Sequence, residues 1–468
     1  MTEETRSSHA VVIGGSIAGL LAARVLTEHI DRVTIVERDT LPEGAHLRKG
    51  VPQARHVHAL LAQGQQIMED LLPGLTDELN QIGAPELQWG LNTAVMTAGG
   101  WMPRFDSGIR SHAPSRAALE WLIRRRVRQD ERIQFMTGCD VRDLMTDEAR
   151  TTVTGVHLQR RGGDREATSL AADLVVDASG RESRAPQWLK ALGYAAPQET
   201  TVNAYLAYAT RWYKRPENAD MDWKMVMIHS KPAEGINRGG AIFEVEGRSW
   251  LVTLAGIADQ QPPTDEDAYL DFARTLASPL IYNAIKDADP LGDIYGYQRT
   301  ANRLRHYERL TRRPENFVLV GDAVCAFNPL YGQGMTVAAM EALALREVLQ
   351  GFRARDLTGM ATRFHKRLAE VVKDTWLMAT GEDLRYATTS GDRPGLVTRF
   401  IQRYIDRLVI MMPADTEIAL ALMHAQNLTK PPAALLHPRL LIKVLRHLLR
   451  ANGTRQPAES TGKEPVWG

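Results

Sequence analysis

The amino-acid sequence predicts an α/β fold in which a parallel, doubly wound unit is split by an inserted antiparallel sheet and followed by a helical region. Three observations carry this. The buried run Val11-Val12-Ile13 turns through Gly14-Gly15-Ser16 into an apolar helical pattern from Ile17 to Glu28, and a short strand, Val33 to Val36, completes a βαβ opening. From Thr201 to Ile257 the helical period gives way to alternation, with Leu206, Tyr208, Thr210 and Trp212 on one strand face. From Met335 onward the pattern is mainly helical.

Other elements fill the intervals. Arg48 to His58 is a polar connection bearing Pro and Gly. Ser115 to Gln129 reads as a helix with Leu119, Leu122, Ile123 and Val127 on one side; its arginines read as a solvated face and not a nucleic-acid patch. Val153 to Leu158 and Leu170 to Val176 read as strands around a turn at Gly162-Gly163, and Trp250 to Leu254 as another strand. Trp212, Tyr213, Trp223, Met225 and Met227 enrich the insertion in large apolar groups for a core or a pocket. His437 to Arg450 is a basic amphipathic helix, with Leu441, Val444, Leu445, Leu448 and Leu449 against Arg439, Lys443, Arg446 and Arg450. Such a stripe ordinarily docks on its own domain; contact with a membrane surface is the other reading. Residues 451–468 read as a polar, disordered tail.

A chain of 468 residues exceeds one small core and predicts two or three domains. A formal charge of +1 gives no reason to expect nucleic acid. Two cysteines, Cys139 and Cys325, exclude a disulfide framework and suit the cytoplasm. The opening residues Met1 to Arg6 carry acids and do not read as a signal peptide. Ala323 to Met340 carries no charge and is long enough to raise the question of a span, but Asn328, Pro329, Gly332, Gln333 and Gly334 mark a buried loop and helix start, not a membrane span.

The first glycine-rich turn is a dinucleotide fingerprint with one departure. Backbone N–H groups at a strand–helix turn can approach a pyrophosphate, and glycine is needed where a Cβ would block it. The three glycine positions hold Gly14, Ser16 and Gly19, with Gly15 and Ala18 between them. Glu37, 18 residues past Gly19, ends the second strand, followed by Arg38; a carboxylate there can accept from both ribose hydroxyls. This turn alone does not separate FAD from NAD.

The second signal makes that separation. Phe317-Val318-Leu319-Val320 is an apolar strand leading into Gly321-Asp322, whose carboxylate can hold a ribityl hydroxyl. Gly332-Gln333-Gly334 then precedes a helix from Met335, whose N-terminal dipole can stabilise the reduced flavin pyrimidine edge. FAD is the cofactor this pair of signals implies. Phe327, Asn328, Pro329 and Tyr331 lie between them as the candidate pocket beside the flavin.

Here the sequence resembles the FAD-dependent monooxygenases built like p-hydroxybenzoate hydroxylase, over about His9 to Leu349. Its nearest look is to squalene-epoxidase-like and bacterial polyether epoxidases of the monensin and lasalocid type. Leu47 to His58, Asp173 to Arg181, and Gly321 to Pro329 carry this resemblance. It implies a Rossmann-like FAD-binding domain (1–84, 111–195 and 300–351), an inserted antiparallel-sheet substrate domain (85–110 and 196–299) and a helical C-terminal region (352–450). It also implies FAD contacts from Arg48, from Arg116 and from the backbone near Val141. The family's middle motif has Asp-Gly and is tied to NAD(P)H use; here the pair is Ser179-Gly180, with Asp177 two residues earlier. The electron donor is therefore NAD(P)H or an external flavin reductase.

His56 and His58 could share a strand face, but no third ligand cluster accompanies them, so no metal is expected. The expected reaction is oxygen transfer from a flavin C4a-hydroperoxide to an apolar substrate, with alkenes of a polyketide or terpenoid in secondary metabolism as the epoxidised groups. Aromatic hydroxylation would want a base to ionise a phenol, and the sequence singles none out. A prenyl double-bond reductase and a catalytically silent flavin carrier are the other readings. A halogenase is disfavoured, because no two tryptophans are two residues apart as a Trp-x-Trp-x-Ile-Pro signature requires.

Overall fold

A computed structural model describes residues 7–162, 167–451 and 464–467. Its centre is a five-stranded parallel sheet in the spatial order Phe317–Leu319, Leu174–Asp177, His9–Ile13, Arg32–Glu37, Ile133–Thr137. The first four of these strands are buried and mostly apolar, as a sheet covered on both faces requires, while the edge strand Ile133–Thr137 is buried only at Ile133. Helices Ile17–Leu26 and Gly334–Leu349 pack against each other through Ala and Leu side chains of one continuous core. Gly19 makes the first helix possible at this distance, since a Cβ there would lie 1.9 Å from the Gly14 carbonyl oxygen.

The segment expected as one strand from Leu170 to Val176 is two. Ala167–Ala171 pairs antiparallel with Val153–Arg160, and Leu174–Asp177 joins the parallel sheet. The chain changes sheets at Ala172-Asp173, a junction that a run of apolar residues does not reveal. Gly163 of the expected turn lies outside the described residues.

The second sheet has seven strands, ordered Tyr295–Tyr297, Leu206–Lys214, Ser249–Ile257, Arg238–Val245, Met225–Ile228, Thr93–Thr97, Gly100–Trp101. It is antiparallel except that Met225–Ile228 runs parallel to Thr93–Thr97. The exception arises because the chain enters this sheet twice, with the helix Arg116–Val127 and two parallel-sheet strands, Ile133–Thr137 and Leu174–Asp177, between the visits. One face packs Ala209, Tyr213, Val226 and Trp250 under helices Glu266–Arg274 and Leu280–Ile285. The other carries Met225, Phe243 and Leu251 beneath Tyr404, Leu408 and Met423 of the C-terminal helices.

The end of the chain corrects the expected disordered tail in part. Trp467 packs with tilted rings against Trp223 and Trp250, ring centroids 6.0 and 5.5 Å away, and Trp223 Nε1 donates to the Val466 carbonyl at 3.2 Å. Aromatic burial outweighs the polar composition of the preceding stretch. Residues 452–463 lie outside the described residues. Among the described residues no helix is long and apolar enough to cross a membrane.

Candidate functional site

The two glycine signals, about three hundred residues apart in sequence, meet. Gly321 has φ +65°, and a Cβ on it would lie 2.9 Å from the Ala18 Cβ. Gly14, at φ +104°, approaches the third strand's end so closely that its Cβ would fall 2.5 Å from the Ala178 carbonyl oxygen. The tips of three parallel strands therefore converge at their C-terminal edge, where open α/β sheets bind ligands.

Around the first turn sits a buried ionic network. Ser16 Oγ donates to Glu120 Oε2 at 2.8 Å and accepts from Arg116 Nη2 at 2.8 Å. Glu120 also pairs with Arg116 at 2.8 Å and with Arg48 Nε at 2.7 Å. Arg48 reaches Asp39 at 3.0 Å and Glu37 at 3.3 Å. Burial alone would raise the Glu120 carboxyl, but Arg116 and Arg48 hold it down at about 2. The Arg48 Nη2 is nonetheless buried without a partner. Glu37 is buried; its Oε2 accepts from the Gly15 N–H at 2.8 Å and its Oε1 from the Asp39 N–H at 2.9 Å. Arg38 is exposed and donates to the Gly50 carbonyl at 3.3 Å. Val141 is part-buried in the strand Cys139–Thr146, beside a register shift against Val153–Arg160.

The helix Gly334–Leu349 starts from Gln333 without a side-chain cap and with no acid in its first turn, so its free N–H groups are unclaimed by the protein. A Cβ on Gly334 would meet nothing within 4 Å. Gln333 Oε1 and Ser179 Oγ are buried without partners. Gly332, at φ +66°, abuts Ala59, which brings the His56-Val57-His58 segment to this loop. Met335 is part-buried. Asp322 is pushed upward by burial, against the pull of Arg181, Arg303 and Arg116. Beneath it, Glu341 accepts from the Gly321 N–H, and burial raises its carboxyl to about 8. Asp177 turns inward: its oxygens accept from the Ser179 N–H at 2.9 Å and the Ser183 hydroxyl at 2.6 Å.

The candidate pocket residues divide. Phe327 is buried in the main core and Pro329 starts a short 3-10 turn. Asn328 and Tyr331 belong to a closed hydrogen-bond cluster on Asp383, at the end of helix Met360–Asp383. Asp383 accepts from Tyr331 OH at 2.7 Å, from Asn328 Nδ2 at 3.0 Å and from Asn302 Nδ2 at 2.6 Å. Asn302 Oδ1 in turn accepts from the Asn328 N–H at 2.7 Å, and Tyr208 OH donates to Asn328 Oδ1 at 3.4 Å. Burial raises the Asp383 carboxyl to about 6 against the opposing pull of these donors.

His56 and His58 do not converge on one point. His56 Nδ1 bonds Thr210 Oγ1 at 2.7 Å and its ring lies 6.0 Å from Tyr208 and 5.3 Å from Tyr297, while His58 Nδ1 bonds the His56 carbonyl at 2.9 Å. Burial lowers both, to about 4 and about 3, with Arg55 and Arg116 adding to the effect. Both imidazoles are neutral at pH 7. Among the described residues no group of three His, Cys, Asp or Glu could hold a metal.

Comparison with known proteins fits this geometry. Residues 7–363 match the FAD binding domain family. The chain belongs to that family. It is 36% identical over 389 residues to "Protein Rv3254" of Mycobacterium tuberculosis, covering 81% of this chain and 80% of that protein. Its fold is that of the flavin-dependent brominase Bmp2 (TM-score 0.65, 16% identity, 96% of this chain and 100% of that one). It is shared also with pqsL, a "probable FAD-dependent monooxygenase" of Pseudomonas aeruginosa (TM-score 0.54, 15% identity, 88% and 99%). At these identities the likeness to solved structures shows the fold. In this FAD-binding domain, the residues present suit the cofactor. The turn Gly14 to Ser16 with Arg48 and Arg116 would hold the pyrophosphate, Glu37 the ribose, Asp322 the ribityl chain, and the open N-terminus at Gly334 the flavin ring. Two surface clefts of about 460 and 410 Å³ lie elsewhere and include none of these residues.

Sequence reasoning missed Glu120, Asp39, Asn302 and Asp383. Glu120 had a signal, since it stands four residues after Arg116 on one helix face. Asp383 had none: it lies 49 residues past Gly334, outside every motif, and only the packing of its helix brings it to Asn328.

Proposed function

We propose that this chain is an FAD-dependent monooxygenase acting on an apolar substrate, with alkene epoxidation in polyketide or terpenoid metabolism as its reaction. Bound and reduced, FAD supplies two electrons and the activation of dioxygen. The chain's part is to exclude water and hold a carbon against the cofactor. One observation supports this reading above others. The only ionisable carboxyl in the Asn328–Tyr331 cluster, Asp383, is occupied by three side-chain donors, and the neighbouring His56 and His58 are buried and neutral. Asp383 is already engaged by its donors and burial leaves both imidazoles only weakly basic, so none of the three is a strong base for ionising a phenol, whereas transfer of oxygen to an alkene needs no such base. The part-buried Trp212, Met227 and Ala241, packed with Val57 and Ala59, offer an apolar wall on the sheet face nearest Gly332.

Dioxygen is the second substrate, and the electron donor is NAD(P)H or an external flavin reductase. Asp177, folded into its own turn, cannot replace the Asp of an Asp-Gly pair, which favours the external donor. The cytoplasm is the expected compartment. The test is to reduce the FAD-loaded protein anaerobically, admit isotopically labelled dioxygen with apolar polyenes, and analyse products by mass spectrometry. One labelled oxygen per product epoxide is expected. Saturation of a double bond without oxygen uptake would establish the reductase instead, and labelled phenols from aromatic substrates the hydroxylase.

A further inference from the structure

The helix Pro438–Ala451 does not bury its apolar stripe. At 3.6 residues per turn, Leu440, Val444, Leu448, Leu441, Leu445, Leu449 and Ile442 fall in one arc of about 200°. Only Leu440 and Val444, at one margin of that arc, are buried, against the cluster that includes Tyr404 and Leu408. Leu445 remains 57% exposed and Leu449 66%. Arg439, Lys443, Arg446 and His447 occupy the remaining arc, and no acidic residue lies between Lys430 and Arg450.

The helix Leu396–Met411 packs beside it and repeats the pattern. Tyr404 and Leu408 face inward, while Leu396 and Phe400 are 78% and 73% exposed next to Arg399 and Arg403. Of the large apolar side chains exposed among the described residues, the majority lie between Leu396 and Leu449. Apolar surface of this extent marks an interaction site.

We propose that these two helices dock on an anionic lipid surface. The apolar arc is of a width to enter the headgroup boundary, and Arg439 and Arg446 alongside it meet headgroup charge, while Lys443 between them is paired with Asp415 and Glu417. Charge complementarity selects this occupant over a second copy of the chain, because the helix itself carries no acidic group that could pair with Arg439 and Arg446 of a second copy, and the nearby Asp415 and Glu417 are taken up by Lys443. The surface is independent of the chemistry proposed above, and its test reads no turnover.

The experiment is co-sedimentation of the full-length, FAD-loaded protein with vesicles of phosphatidylcholine alone and of phosphatidylcholine containing phosphatidylglycerol. Binding to the anionic vesicles, weakened by added salt, is expected. Arg399→Gln and Arg446→Gln should each weaken it about fivefold. Leu445→Glu with Leu449→Glu should abolish it, with flavin content and melting temperature unchanged because both side chains already face solvent. Absence of sedimentation with either vesicle, or sedimentation indifferent to Leu445→Glu and Leu449→Glu, overturns the proposal. So does a light-scattering dimer that these substitutions dissociate while vesicle binding is absent; the face would then belong to a second copy.

Discussion

At the scale of single residues, two buried carboxyls behave in opposite ways for one reason: what surrounds them. Glu120 is enclosed by guanidinium groups and held at about 2, so its contribution to stability is present above the ordinary carboxylate range and lost only as pH falls toward 2. Glu120→Gln leaves Arg48 and Arg116 buried without their shared counter-charge, a loss of about 3–5 kcal/mol. The diphosphate of FAD would supply that charge, so the fall in melting temperature should be smaller with excess FAD than without it. An equal fall in both conditions would count against Arg48 and Arg116 as pyrophosphate ligands. Asp383 is raised to about 6, so the stability it lends is full below its unfolded value near 4 and is lost as pH rises through 6. The stability advantage of the native protein over Asp383→Asn should therefore shrink by on the order of 3 kcal/mol between pH 4 and 7. Thermal melts across that range check it. A parallel pH response of the bound flavin spectrum, absent in the variant, would show that the cluster reaches the cofactor.

Elements show which features a sequence can disclose. The turn at Gly14 was legible because backbone strain and close approach demand glycine at fixed spacing. Gly14→Ala, at φ +104° and 2.5 Å from Ala178, should yield protein that retains little flavin or fails to fold. Gly334→Ala differs. Nothing in the protein opposes its Cβ, and alanine favours the helix by up to about 1 kcal/mol. Its melting temperature without FAD should hold or rise while flavin affinity drops, measured by the flavin released on dialysis. Unaltered affinity would place the flavin ring away from Gly334. The parallel pairing of Met225–Ile228 with Thr93–Thr97 was not legible, because alternation fixes which face a residue takes but not the direction of its neighbour. Nor was the Asn302–Asn328–Asp383 cluster, whose members share no element and no period. Long-range polar contacts of this kind leave no local trace.

Across the whole molecule, distant segments finish sites begun elsewhere. Trp467 completes an aromatic group on the sheet face that packs under helices Glu266–Arg274 and Leu280–Ile285, and Trp467→Ala should lower stability by about 1 kcal/mol or more, seen as a lower melting temperature with flavin content intact. The same arrangement bears on synthesis. Strand Leu174–Asp177 takes its second neighbour, Phe317–Leu319, from 140 residues further along. At the pace of a ribosome that interval lasts on the order of ten seconds, during which an apolar strand edge stands open. Nascent chains of this protein thus pass through an obligatory period of vulnerability to aggregation, and their yield should depend more on chaperone supply during translation than on the stability of the finished fold.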